Sequence, residues 1–297
     1  MRRKEQTGSK RLNSGEVKNN IIYPCIWFDG NAREAADFYC SVFGDAIITS
    51  ENQMVVTFES SGQKFMCLNG GPGSKINPSV SFYVICETEE EIDTLFRKLL
   101  EGGSELMPLS KYEWSRKYVW LQDKFGVSWQ LSYGGVEKIN KKISIMLMFP
   151  GEKAGRAETA INFYISVFGG KSHILDINRY TNDDNDTPGT IKHAEFKLGD
   201  QAFMAIDSSY MHKFGFNEAL SIVVECETQE EIDYFWDMLT KGGEEVQCGW
   251  LKDSFGVSWQ IVPTVLASLM NDPSRSDRVV SAFLKMKKFE IEKLLKA

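Results

Sequence analysis

The stretch Asp123-Lys124-Phe125-Gly126-Val127-Ser128-Trp129-Gln130 returns as Asp253-Ser254-Phe255-Gly256-Val257-Ser258-Trp259-Gln260 with a single change. Long-range self-similarity means that one folding unit is written twice, so any acceptable architecture must be buildable from two copies. Three more pairs agree with this. They are Glu87-Thr88-Glu89-Glu90-Glu91-Ile92-Asp93 with Glu227-Thr228-Gln229-Glu230-Glu231-Ile232-Asp233, Phe38-Tyr39 with Phe163-Tyr164, and Gln63-Lys64-Phe65-Met66 with Gln201-Ala202-Phe203-Met204.

Within a copy the pattern restarts once. Residues 21–28 are apolar and read as a strand. Asn31 with Glu34 has the spacing of a capping box, and Ala35, Phe38, Tyr39, Val42 and Phe43 recur at helical spacing up to Gly44. Short β-like runs follow at 46–50, 53–59 and 64–69. A strand at 79–86 then restarts the order, Thr88 with Glu91 offers a second capping box, and strands are expected near 104–107, 117–122 and 127–132. Each copy therefore holds two β-α-β-β-β units, and the fold class is α+β. The expected division is an N-terminal disordered arm at 1–20, domains at 21–134 and 142–262, and a helical tail at 263–297. In the tail, Val280, Phe283, Leu284, Ile291, Leu294 and Leu295 share the face of a helix expected from about Asp277. The second copy is longer at 151–154 and in the acidic loop 182–189; the first keeps a longer hairpin at 111–117.

Composition narrows the function. With 42% hydrophobic and 25% charged residues the 297-residue chain reads as globular. A net charge of -7 argues against nucleic acid as a partner. No apolar run approaches the ~20 residues of a membrane span, and 1–20 lack the apolar centre of a secretory signal. The six cysteines form no metal-type spacing, which suits reduced thiols in the cytoplasm.

Paired β-α-β-β-β units, with Phe28-Asp29-Gly30-Asn31, Phe38-Tyr39, Phe43-Gly44, His193-Ala194-Glu195-Phe196 and Ser258-Trp259-Gln260, resemble the vicinal oxygen chelate superfamily of glyoxalases, dioxygenases and bleomycin-resistance proteins. Within it they are similar to the PhnB-like branch, often labelled 3-demethylubiquinone-9 3-methyltransferase. The resemblance implies that each pair of units curls into a cup with the ligand inside. Metal-using relatives hold a divalent ion there with His or Glu from the first strand of each unit and Glu from the last. Carried across, the first-strand places fall on about Pro24 and Ile145, the fourth-strand places near Asn69 and Asp207, and the last-strand Glu becomes Gln130 and Gln260. A glutamine amide is a poor ligand for a divalent ion but gives and takes hydrogen bonds, so the expectation is no metal and no other cofactor.

The candidate site is therefore polar and aromatic, and is placed in the second copy. His193 and Glu195, two apart on one strand, share a face and form a candidate catalytic pair. Gln260, Asp207, Trp250 and Arg179 are candidate ligand contacts, as are Gln130 and Trp120 in the first copy. Trp129 and Trp259 are assigned to helix–sheet packing, and His173, His212 and Cys248 to structural or surface roles. The leading expectation is a small-molecule-binding protein, or an enzyme, that works without the superfamily metal. The alternatives are a metal-assisted lyase, isomerase or dioxygenase with a rearranged site, and a drug- or toxin-sequestering protein. Methyl transfer is not expected, because no Gly-rich strand-to-helix loop is present to cradle a nucleoside cofactor. A homodimer or an intrachain pseudo-dimer is the expected assembly.

Overall fold

The computed structural model describes residues 21–297, so the expected N-terminal arm lies outside the described residues. Unit 1 comprises β1 (Ile22–Phe28), α1 (Ala32–Val42), β2 (Ile47–Glu51), β3 (Val55–Ser60) and β4 (Gln63–Asn69). Unit 2 comprises β5 (Val80–Cys86), α2 (Glu89–Leu100), β6 (Ser104–Tyr112), β7 (Ser115–Gln122) and β8 (Ser128–Tyr133). Unit 3 repeats the order with β9 (Ile143–Pro150), α3 (Ala157–Phe168), β10 (His173–Arg179), β11 (Ile191–Leu198) and β12 (Gln201–Ser208). Unit 4 has β13 (Leu220–Cys226), α4 (Gln229–Leu239), β14 (Glu244–Glu245), β15 (Trp250–Lys252) and β16 (Ser258–Pro263). The tail contains α5 (Val265–Met270), α6 (Ser276–Phe283) and α7 (Ile291–Lys296).

Local chemistry explains the helix starts. Thr88 Oγ1 accepts the Glu91 amide proton at 3.1 Å, and Thr228 with Glu231 closes a full capping box on α4. The capping box expected at Asn31 does not form: its side chain makes no cap bond, and the Ala32 amide donates instead to Asn69 Oδ1 at 2.9 Å. The strand end opposite supplies the cap that the helix's own flank leaves out. Asp207 does the same for α3, accepting from the backbone amides of Gly155 (2.7 Å), Ala157 (3.1 Å) and Ile191 (2.9 Å).

The paired units and two mixed eight-stranded sheets are present, and each sheet draws one unit from each repeat. One sheet runs β14-β15-β16-β13-β1-β4-β3-β2, joining units 4 and 1 through antiparallel β1 and β13; we refer to its hollow as cup A. The other runs β10-β11-β12-β9-β5-β8-β7-β6, joining units 3 and 2 through antiparallel β5 and β9, and encloses cup B. A first strand left at a sheet edge would expose a row of unmatched amides and carbonyls. The short link from β8 to β9 lets unit 3 close that edge on unit 2, which leaves unit 1 to pair with unit 4. The chain is thus a pseudo-dimer of its own two copies.

The core lies on the helix-facing sides. Trp129 and Trp259 are fully buried there, as expected, and donate Nε1–H to Asp123 and Asp253, both at 2.9 Å. Asp123 also accepts from the Phe125 and Val127 amides (2.9 and 3.0 Å), which folds the repeated Asp-x-Phe-Gly stretch into a tight turn. At Gly126 φ is +84°, a conformation that favours glycine. Burial raises the Asp123 carboxyl to about 6 against the pull of these donors, and Asp253 moves in the same direction.

The single helix expected from Asp277 is interrupted. After α6 the chain leaves the helix to accept hydrogen bonds from the Cys248 amide (to Met286 O, 2.8 Å) and the Gly249 amide (to Lys287 O, 2.7 Å). Edge-strand donors at the start of β15 outcompete helix continuation there. Among the described residues, no helix is long and apolar enough to cross a membrane.

Candidate functional site

Cup B opens into a cavity of about 730 Å³ whose lining comes from both repeats. Five of the residues expected at the site meet there: His193 and Glu195 on β11, Arg179 at the end of β10, Gln130 on β8 and Trp120 on β7. The sheet is strongly curled at this place. His193 on β11 and Tyr83 on β5 stand three strands apart, about 14 Å in a flat sheet, and their rings approach to 6.3 Å.

The remaining expected contacts lie elsewhere. Gln260 and Trp250 belong to cup A, so the grouping of Gln260, His193, Glu195 and Asp207 in one copy-two cup does not hold. The unit pairing across repeats separates them. Asp207 alternates with the cup-facing Ile206 and points to the helix side, where three backbone amides occupy it. Trp250 packs edge-on against Trp27, with ring centroids 5.7 Å apart. His173 and His212 bond to Lys171 O and Ser208 Oγ, away from the cavity lining.

The floor of cup B is held by a chain of hydrogen bonds. Gln130 Nε2 donates to Ser81 Oγ at 2.8 Å, while Gln130 Oε1 accepts the Tyr118 hydroxyl proton at 2.8 Å. Trp120 donates Nε1–H to Ser128 Oγ at 2.7 Å, which fixes its ring as a wall. Aromatic residues that sequence reasoning did not single out complete that wall: Tyr83, Tyr118, Trp114 and Tyr180. Register could have found two of them. Tyr118 lies two residues before Trp120 on one strand and so shares its face, and Tyr83 is the cross-ladder neighbour of Gln130.

The charges around the cavity are mostly matched. Arg179 makes a bidentate pair with Glu158 at 2.7 Å, Lys192 pairs with Asp184, and Lys138 pairs with Asp176 at 2.8 Å. Glu195 is held more loosely: its Oε2 accepts no hydrogen bond and pairs with Lys138 at 3.9 Å. Burial raises its pKa, with Lys138 opposing and Asp176 adding to the shift. Burial also lowers His193 to about 4, so the imidazole is neutral at physiological pH. Burial thus disfavours the charged form of both groups and draws their pKa values together, and the pair can serve as proton donor and acceptor or as fixed polar contacts.

The superfamily's metal set does not fit either cup. Ile145 packs on the helix side, and the next residue along β9, which faces cup B, is Met146. The cup-A counterpart, Cys25, is held as a thiol by burial, with its pKa raised to about 12. Thioether, thiol, hydroxyl and an engaged amide are not the donors that a hard or borderline ion selects. Among the described residues no three His, Cys, Asp or Glu side chains gather into a possible ion site.

Residues 20–132 and 141–262 each match the family described as 3-demethylubiquinone-9 3-methyltransferase. The chain belongs to this family, in two tandem copies. A PhnB protein of Bacillus cereus from the same family is 41% identical over 38% of this chain and 98% of its own, with TM-score 0.36. A protein of Staphylococcus aureus is 30% identical over 38% of this chain and 96% of its own, with TM-score 0.19. Glyoxalase I of Zea mays is similar over 82% of this chain and 93% of its own, at 11% identity and TM-score 0.55, which shows the shared tandem fold alone. No curated protein sequence matches the chain. The two family domains thus each contribute half of every cup.

Proposed function

We propose that cup B binds a small organic cation with an apolar or planar body, without the superfamily metal. The observation that carries this reading is the Glu195 carboxylate, which lines a cavity walled by Trp120, Tyr83, Tyr118 and Trp114 and is paired only loosely, with Lys138 at 3.9 Å. A carboxylate beside a cavity from which water is partly excluded favours a cationic ligand by charge, whether or not the cation carries an N–H. Aromatic faces attract cations further, by about 0.5–2 kcal/mol each when water is excluded. Anionic ligands find less support, because Arg179, Lys192 and Lys138 already hold carboxylate partners.

Methyl transfer, which the family description names, has little support in the loop chemistry. The strand-to-helix loops hold Gly30 between β1 and α1 and Gly151 and Gly155 between β9 and α3, without the G-x-G-x-x-G spacing of a nucleoside-cofactor cradle. Acid–base chemistry on the bound ligand is the second reading, favoured by the opposite shifts of His193 and Glu195.

The test is calorimetry with benzyltrimethylammonium, its neutral isostere neopentylbenzene, and phenylacetate. Saturable binding of the cation, weakened at least tenfold by Glu195→Gln, is the expected result. Equal binding of phenylacetate, or insensitivity to Glu195→Gln, would overturn the assignment. Recovering the natural ligand unchanged after incubation would then separate binding from turnover.

A further inference from the structure

Cup A is built differently from cup B, and the difference lies in the tail. Leu266, Ala267 and Met270 of α5, Phe283 of α6 and Phe289 form a roof over the cup floor, enclosing a second cavity of about 200 Å³. The roof is anchored to unit 4. Cys248 and Gly249 donate their amides to it, Gln229 bonds both Phe289 O (3.0 Å) and the Ile291 amide (2.8 Å), and Lys288 pairs with Asp233 at 2.7 Å. On the unit 1 side Met54, Met66 and Leu68 complete the wall, and the exposed Ala267 marks the mouth.

Most of the polar side chains around this cavity already have hydrogen-bond partners. Tyr23 donates its hydroxyl proton to Glu225 Oε1 at 2.7 Å, and the Lys64 ammonium donates to the same oxygen at 2.8 Å while lying 4.1 Å from the Tyr23 ring centroid. Gln260 Nε2 donates to Ser221 Oγ at 2.9 Å. Asn52 Oδ1 accepts from the Met54 and Val55 amides at 2.9 and 3.0 Å. The surface left to a ligand is mainly thioether, methyl and phenyl. An apolar cavity of roughly 150 Å³ accepts benzene, so this one has room for a substituted single ring.

We propose that cup A is a second binding site, for an uncharged apolar molecule of about one ring, with the chain's own C-terminal tail as its roof. The site is independent of cup B, and the two cups of one fold thereby select different ligand classes.

The probe is 4-fluorotoluene, followed by ¹⁹F NMR on the full chain. Saturable broadening is expected, reduced at least tenfold by Ala267→Trp, which blocks the mouth, and unchanged by Glu195→Gln in cup B. The wild-type chain provides a second measurement: saturating 4-fluorotoluene should slow maleimide labelling of Cys248, which lines the cavity, but not of Cys40. Absence of saturable broadening, loss of it in Glu195→Gln but not Ala267→Trp, or an unchanged Cys248 labelling rate would overturn the proposal.

Discussion

Tyr39 on α1 donates its hydroxyl proton to Asp123 Oδ2 at 3.0 Å, tying unit 1, which builds cup A, to unit 2, which builds cup B. Tyr164 repeats the bond to Asp253 at 2.7 Å in the second copy. Each repeated aspartate is therefore a clasp between the two sheets as well as the centre of a turn. Asp123→Asn keeps an oxygen for the Phe125 and Val127 amides but turns an NH₂ group toward two donors, Tyr39 Oη and Trp129 Nε1. Leaving those buried donors unmatched should cost about 2–4 kcal/mol. Asp253→Asn should cost a similar amount. Urea unfolding checks both, and a change within about 0.5 kcal/mol, the range of an ordinary surface substitution, would refute the clasp.

Gln130 and Gln260 occupy the same place in the two copies but face different cups, which allows a paired experiment. Gln130→Leu releases both Ser81 and Tyr118, so the Tyr118 ring loses its anchor in the wall of cup B. Binding of benzyltrimethylammonium should weaken about tenfold, equivalent to losing one hydrogen bond's net contribution of about 1.4 kcal/mol. Gln260→Leu should leave that binding unchanged. If Gln260→Leu weakened it and Gln130→Leu did not, the assignment of the cation site to the β5–β12 sheet would be wrong.

The repeat, the β-α-β-β-β order and the strand positions were legible because period and turn chemistry are local: the Thr88 cap, the Asp123 turn and the buried Trp129 all follow from residues within a few positions of one another. The partner of each unit was not legible. The ladder Ile22↔Val224 joins residues some 200 positions apart, and nothing in either strand distinguishes that partner from a unit in its own repeat. This is why His193, Glu195, Gln130 and Trp120 could be named singly while Gln260 and Asp207 were grouped with His193 and Glu195. Asp207 was misplaced for a second reason. It lies one residue from the cup-facing Ile206, and a one-residue change of face inverts every assignment along a strand.

His193 gives a stability signature in acid. Its pKa is depressed from 6.5 in the unfolded chain to about 4 in the fold, so below pH 6.5 the unfolded state binds the extra proton and gains on the native state. The stability His193 provides by remaining neutral is complete above pH 6.5 and is lost as pH falls toward 4. Allowing for its partial exposure, the change is on the order of 2 kcal/mol. His193→Gln should flatten this limb of the stability–pH curve, as read by urea unfolding between pH 4 and 7. An unchanged slope would mean that the ring is solvated and unable to act as a fixed neutral contact.

Glu195 should show the opposite sign for folding and a matching one for binding. Its folded pKa is raised above that of the unfolded chain, so its contribution to stability is present in acid and declines as pH rises through the folded value. Glu195→Gln removes an ionised group that lacks a hydrogen-bond partner, and should raise the melting temperature at pH 8 while leaving it unchanged at pH 4. The ligand side runs the other way. A cation needs the carboxylate, so affinity for benzyltrimethylammonium should be highest above the Glu195 pKa and fall as pH drops through it. In Glu195→Gln the weakened affinity should be independent of pH over the same range. A variant more stable at pH 8 yet poorer at binding identifies Glu195 as a strained site residue, because a carboxylate kept for packing or a surface ion pair would lose stability on neutralisation. Retention of the full pH dependence of binding in Glu195→Gln would locate the titrating group elsewhere in the cup.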